Sequence, residues 1–127
     1  MTERFVELRL ELFVENVQKS TDFYLRVFGF QVGAHGSGDY TMVVKGDAVI
    51  GFSRLDALNH DHPSRNRADE RLGRGVEIVL SVDDVQAAFE VAQKGCLTIS
   101  DLATRPWGLR DFRVVDPDGY YIRVSGQ

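Results

Sequence analysis

The chain has 127 residues, the size of one domain, with 43% hydrophobic, 10% aromatic and 27% charged residues. This composition excludes intrinsic disorder, and a single cysteine, Cys96, excludes an intrachain disulfide or a multi-cysteine zinc site. With 15 Lys and Arg against 19 Asp and Glu, the formal charge is −4, which argues against general nucleic-acid binding.

No apolar run approaches the ~20 residues that span a bilayer, so no membrane segment is expected. Met1 to Glu7 carry charges where a secretory leader needs an apolar stretch, and a cytoplasmic location is the expectation. Leu8, Leu10, Leu12 and Val14 then alternate with Glu7, Arg9, Glu11 and Phe13, the period of a strand with one apolar face. Asn16 is placed to cap a helix whose positions Val17, Thr21, Tyr24 and Phe28 share one side, with Gly29 at its end. Phe30 to Val32 reads as a short strand. Tyr40 to Val44 and Ala48 to Arg54 read as a hairpin through Lys45-Gly46-Asp47. Residues 55–75 are polar, charged and broken by proline, with at most a helical turn over Arg67 to Leu72, and are read as a linker.

The pattern then starts again. Val76, Ile78, Leu80 and Val82 alternate on a strand, and Asp84 caps a helix carrying Val85, Ala88, Phe89 and Ala92 on one side, closed by Gly95. A weaker strand is expected over Cys96 to Ser100. Asp111 to Val115 and Tyr120 to Ser125 form a hairpin around Asp116-Pro117-Asp118-Gly119. Val14-Glu15-Asn16-Val17-Gln18 is echoed by Val82-Asp83-Asp84-Val85-Gln86, so the chain repeats a βαβββ unit, residues 1–54 and 76–127 around the linker. Units of about 50 residues seldom sustain a core alone, and the two are expected to pair.

With Val14 to Tyr24, Phe28-Gly29-Phe30, Arg105 to Phe112 and the Asp116 to Gly119 turn, the chain resembles the vicinal oxygen chelate superfamily. That superfamily holds glyoxalase I, extradiol dioxygenases, fosfomycin-resistance enzymes and the metal-free bleomycin-resistance proteins. The resemblance implies an α+β fold in which two paired βαβββ modules form a curved mixed sheet around a cup. It also implies that the enzymes' divalent-metal positions fall here on Arg9, Glu77 and Arg123, with a fourth near Gly51. Arginine offers no acceptor lone pair and keeps its charge, so only Glu77 is a ligand type. The resemblance therefore points to a metal-independent small-molecule binding protein without a cofactor, akin to antibiotic-sequestering members. The alternatives are a glyoxalase-like lyase or dioxygenase-like enzyme with displaced metal ligands, and a non-catalytic structural module.

Arg9, Glu77 and Arg123 lie on the polar faces of their strands and are expected to meet on the cup floor. They form either a receptor for an anionic ligand group or a plain salt-bridge network. A Glu77 sandwiched between both arginines predicts a loss of roughly 3–5 kcal/mol for Glu77→Gln. Glu11 either extends this network, or engages a cationic ligand, or stays in solvent. Trp107 and Tyr121 offer aromatic surface for a flat ligand, the other reading of Trp107 being a cover over the end of the core. His60 and His62 are read as solvated linker residues rather than metal ligands, His35 as a turn residue and Cys96 as a small buried apolar group. A homodimer is expected whose cups involve both chains through exchanged modules, the other reading being a dimer with each cup built within one chain.

Overall fold

The computed structural model describes residues 6–37 and 39–127, of which 34–37 are described through their backbone alone. The repeat is visible as two four-stranded mixed sheets, each carrying one helix. In the first, β1 (Leu10–Val14) is followed by α1 (Val17–Phe28), β2 (Gln31–Ser37), β3 (Tyr40–Lys45) and β4 (Ala48–Arg54), in the order β1-β4-β3-β2. In the second, β5 (Glu77–Ser81) precedes α2 (Val85–Gly95), β6 (Ala103–Thr104), β7 (Arg110–Val115) and β8 (Tyr121–Gly126), in the order β5-β8-β7-β6. The first strand of each unit pairs in parallel with the last, Leu10 opposite Ile50 and Glu77 opposite Tyr121. The other pairs are antiparallel. No described helix is long and apolar enough to cross a membrane.

The local rules that start and stop the helices act at equivalent places. Asn16 Oδ1 accepts from the Lys19 amide at 3.0 Å, and Asp84 Oδ1 accepts from the Ala87 amide at 3.0 Å. Each satisfies one of the orphan donors of a first turn. Gly29 ends α1 at φ 75°, its amide bonded to the Leu25 carbonyl, as a left-handed terminus requires. Gly95 differs from the expectation. It remains inside α2, which ends at an extended Cys96, and is small because α1 passes close by: a Cβ there would meet Arg26 Cγ at 3.1 Å. The expected strand at Cys96 to Ser100 is reduced to one bridge, Ile99 opposite Val114. The Ser100 hydroxyl takes the Arg113 amide at 2.8 Å, which diverts a ladder donor to a side chain. Leu8, expected on the apolar face of β1, lies before the strand and is 79% exposed.

The core is the layer between the helices and one face of each sheet. Val14, Tyr24, Val27, Ile50 and Phe52 fill the first unit, and Val85, Phe112, Val114 and Ile122 the second. The units are joined through their helix sides, where α1 packs on α2. They are locked by the Asp116 turn. Asp116 Oδ1 accepts the amides of Asp118, Gly119 and Tyr120 at 2.9, 3.0 and 2.9 Å, while Oδ2 accepts the Tyr24 phenol of α1 at 2.8 Å. Asp118 accepts the Glu15 amide and the Ser20 hydroxyl, and the Tyr120 phenol donates to the Phe13 carbonyl at 2.8 Å.

Asp116→Ala strands four donors at once. At about 1–3 kcal/mol for each unsatisfied buried group, it should destabilise by at least about 3 kcal/mol. Tyr24→Phe should cost about 1.5–3 kcal/mol, the scale of one hydrogen bond to a charged group; urea unfolding measures both. Burial holds the Asp116 carboxyl above its ordinary value, against the lowering effect of its Tyr24, Tyr120 and Asp118 hydrogen bonds. The folded state therefore binds this proton more tightly than the unfolded chain. Its contribution to stability is fully present below the unfolded value and is lost as pH rises through the folded one. The stability of the unmodified chain relative to Asp116→Asn should thus increase as pH falls toward the carboxylate range.

Candidate functional site

Each sheet has a second face, turned away from its helix, where the polar strand positions lie. In the first sheet, Arg9 Nε meets Glu11 Oε1 at 3.0 Å, and the Tyr40 phenol donates to the same oxygen at 3.1 Å. Gly51, opposite Glu11 in the ladder, leaves the room this pair occupies, since any Cβ would run into the Glu11 carboxylate and the Tyr40 hydroxyl. Desolvation, followed by the hydrogen bond to Glu11, raises the Tyr40 phenol above its usual range. The Arg9 side chain is 58% exposed.

The second sheet carries the denser cluster. Alternation along β7 sends Phe112 and Val114 into the core and puts Asp111 and Arg113 on the open face. Register brings Arg113 opposite Arg123 of β8, and Asp111 opposite Ser125. Two guanidinium groups directly opposite each other repel, and Asp111, with no exposed side-chain surface, stands diagonally between them. Arg105, from the turn joining β6 and β7, donates Nε to Asp111 Oδ1 at 2.9 Å. Arg113 Nε lies 3.8 Å from that oxygen and Arg123 3.9 Å from Oδ2, ion pairs too long to be hydrogen bonds. Arg123 also pairs with Glu77 of β5 at 3.2 Å. Arg113 donates to the Tyr121 phenol oxygen at 3.3 Å and lies over its ring, and that bond raises the guanidinium above its usual value.

The expected pairing of Glu77 with Arg123 is therefore present, but Arg9 is not part of it. Arg9 belongs to the other sheet and takes Glu11 as its partner. Glu77 is about a third exposed rather than sandwiched, and the fully buried carboxylate is Asp111. Asp111, Arg113 and Arg105 are not among the expected site residues, although the period of two through Arg110 to Val115 places Asp111 and Arg113 on one face. Tyr121 stands in the cluster. Trp107 sits at the tip of the Arg105 to Gly108 turn and is 59% exposed, so it does not cover the core. His62 Nδ1 accepts the Ser64 amide and its ring leans on Phe13, while His60 is exposed. His35, expected in a turn, has its backbone inside β2, and its side chain lies outside the described residues. Cys96 is buried beside Thr98.

As a metal site the positions do not fit. Among the described residues no three His, Cys, Asp or Glu side chains converge. The one carboxylate at a metal position implied by the resemblance, Glu77, is already engaged by Arg123, and the Gly51 position contributes no donor.

A model of the Glyoxalase/Bleomycin resistance protein/Dioxygenase superfamily matches residues 8–124. Among solved structures, the chain is similar to a protein of unknown function from Agrobacterium tumefaciens str. C58, at 26% identity and TM-score 0.73, covering 100% of this chain and 96% of that one. It is similar to TioX from Micromonospora sp. ML1, at 21% identity and TM-score 0.74, covering 96% and 98%. A glyoxalase/bleomycin resistance protein/dioxygenase family enzyme from Burkholderia phytofirmans PsJN shares 20% identity at TM-score 0.74, covering 93% and 95%. The last two likenesses are of fold alone. No curated protein matches the chain.

The burial pattern separates the two carboxylates energetically. Asp111→Ala leaves arginines around an empty centre and should destabilise by about 3–5 kcal/mol, the scale for removing one partner of a buried ion pair. Glu77→Gln, at a solvent-reached pair, should cost less than about 1 kcal/mol. Denaturant unfolding of the two variants checks the contrast.

Proposed function

Because the chain belongs to the glyoxalase/bleomycin resistance protein/dioxygenase superfamily, we propose that it is a small-molecule binding protein that holds its ligand without a metal, by sequestration rather than turnover. The observation that carries this reading is the Arg123–Glu77 ion pair at two of the family's metal positions. A dication at Glu77 would have to displace one guanidinium and lie beside the charge it displaced. Arginine cannot give up its proton to become a ligand. Chemistry that needs a metal to polarise a carbonyl or to activate water lacks its donors here. What the open face offers is charge, hydrogen-bond donors and an aromatic ring, which is equipment for holding a ligand.

The reading includes a homodimer whose cups draw on both chains. Within one chain the units pack through their helices, and the Arg9–Glu11–Tyr40 group shares no ion pair or hydrogen bond with the Asp111 cluster. Each open face is half of a cup, and a second copy supplies the other half. The resulting ligand site draws Arg9 and Glu11 from one chain and Glu77, Tyr121, Arg123 and Trp107 from its partner.

Elemental analysis of the purified protein should find no stoichiometric Ni, Zn, Mn or Fe, and chelator should leave its melting temperature unchanged. A metal bound at Glu77 overturns the reading. A ligand at about 100 times its Kd should stabilise the fold by roughly 2.7 kcal/mol with chelator present. Sedimentation at micromolar concentration should show a dimer, and a stable 14.3 kDa species refutes it. Exchange is read by mixing Arg9→Ala with Arg123→Ala. Exchanged cups regain one intact site per mixed dimer, whereas cups built within single chains regain none.

A further inference from the structure

The charge on the second open face is unbalanced. Arg105, Arg113 and Arg123 converge on two carboxylates, Asp111 and Glu77, and leave one positive charge over. Each guanidinium has five N–H donors, while Arg105 and Arg113 make one hydrogen bond apiece within the cluster. Arg113 Nε and Arg123 Nε are buried without an acceptor. Asp111 Oδ2 is likewise buried and makes no hydrogen bond, because the nearest guanidinium is 3.9 Å away. The ladder forces this looseness. Arg113 and Arg123 are directly opposite on neighbouring strands, and one diagonal carboxylate cannot lie within hydrogen-bond distance of both while it is held at 2.9 Å by Arg105.

Resting on the metal-free binding reading, we infer that this face is a receptor for the oxyanion of a small organic acid, a carboxylate or phosphonate seated against Arg113 and Arg123. The three arginine side chains keep between 23% and 30% of their surface exposed, so their outer edges meet solvent and a ligand alike. Two oxygens of a carboxylate or phosphonate match the fork of a guanidinium and give acceptors to its outward N–H groups. The Tyr121 phenol oxygen accepts from Arg113, and its O–H is a further donor on the same face. Trp107, in the same turn as Arg105, adds exposed apolar surface for the body of the acid. A cationic ligand finds no equivalent, since both carboxylates already face guanidinium groups.

The test is a titration in chelator-containing buffer with four matched probes: benzoate, phenylphosphonate, neutral benzamide and cationic benzamidine. Trp107, the only tryptophan, reports binding by its fluorescence, and calorimetry confirms it. Benzoate or phenylphosphonate should bind, more weakly as salt is raised, and benzamide and benzamidine should not. Arg113→Gln should weaken anion binding by about 10- to 100-fold, the loss of one charge-assisted hydrogen bond. Glu77→Gln, which removes a competing negative charge at a partly exposed site, should tighten it severalfold. That variant keeps the test decisive if Arg113→Gln does not fold. Silence from both anions at millimolar concentration, or Glu77→Gln leaving their affinity unchanged or weaker, overturns the inference. Binding of benzamide or benzamidine as strong as that of benzoate overturns the anion receptor and leaves metal-free binding standing. Anion binding that appears only after Zn2+ or Mn2+ is added overturns the metal-free reading itself.

Discussion

The Asp116 carboxylate gathers four donors, three from its own turn and one from the phenol of Tyr24 on α1, and the rest of the molecule is arranged around that knot. A βαβββ unit of this size exposes an apolar helix side that it cannot cover by itself. The knot holds the two units together through those sides, with α1 against α2. The sheet faces turned away from the helices are thereby left to the polar residues. A tight turn thus also decides which sheet faces remain open.

The open face of the second sheet is held by an ion network rather than by apolar packing. Arg123, at a position where the resemblance implies a metal donor, pairs instead with Glu77 at 3.2 Å. Asp111 then becomes the anchor, buried under Arg105 and shared loosely by Arg113 and Arg123. A fully satisfied ion network would be inert filling. Here the ladder spacing prevents full satisfaction, and buried donors are left without an acceptor.

Much of this fold is legible along the chain because helices and strands obey local periods. The caps Asn16 and Asp84, the left-handed Gly29 and the Asp116 to Gly119 turn act through contacts within a few residues, so sequence reasoning locates them. The strand alternation likewise places Glu77 and Arg123 on a polar face. Where reasoning from sequence departs from the structure, a non-local contact decides. Gly95 is small because Arg26 of the other helix passes over it, and the ladder at Ser100 is cut by a side chain reaching the Arg113 amide.

The site is divided in the same way. Residue type alone established that Arg9 and Arg123 cannot ligate a metal, since the chemistry of a guanidinium does not depend on its surroundings. The repeat established that two equivalent units exist and which face of each strand is polar. Tertiary structure decided which polar residues meet. It paired Arg9 with Glu11 rather than Glu77, raised Asp111 from one residue of a motif to the buried centre of the cluster, and exposed Trp107 at a turn tip. Strand alternation specifies a face, but the partner across a ladder is set by register. Register follows from turns and packing summed over the whole sheet rather than from any local stretch of chain.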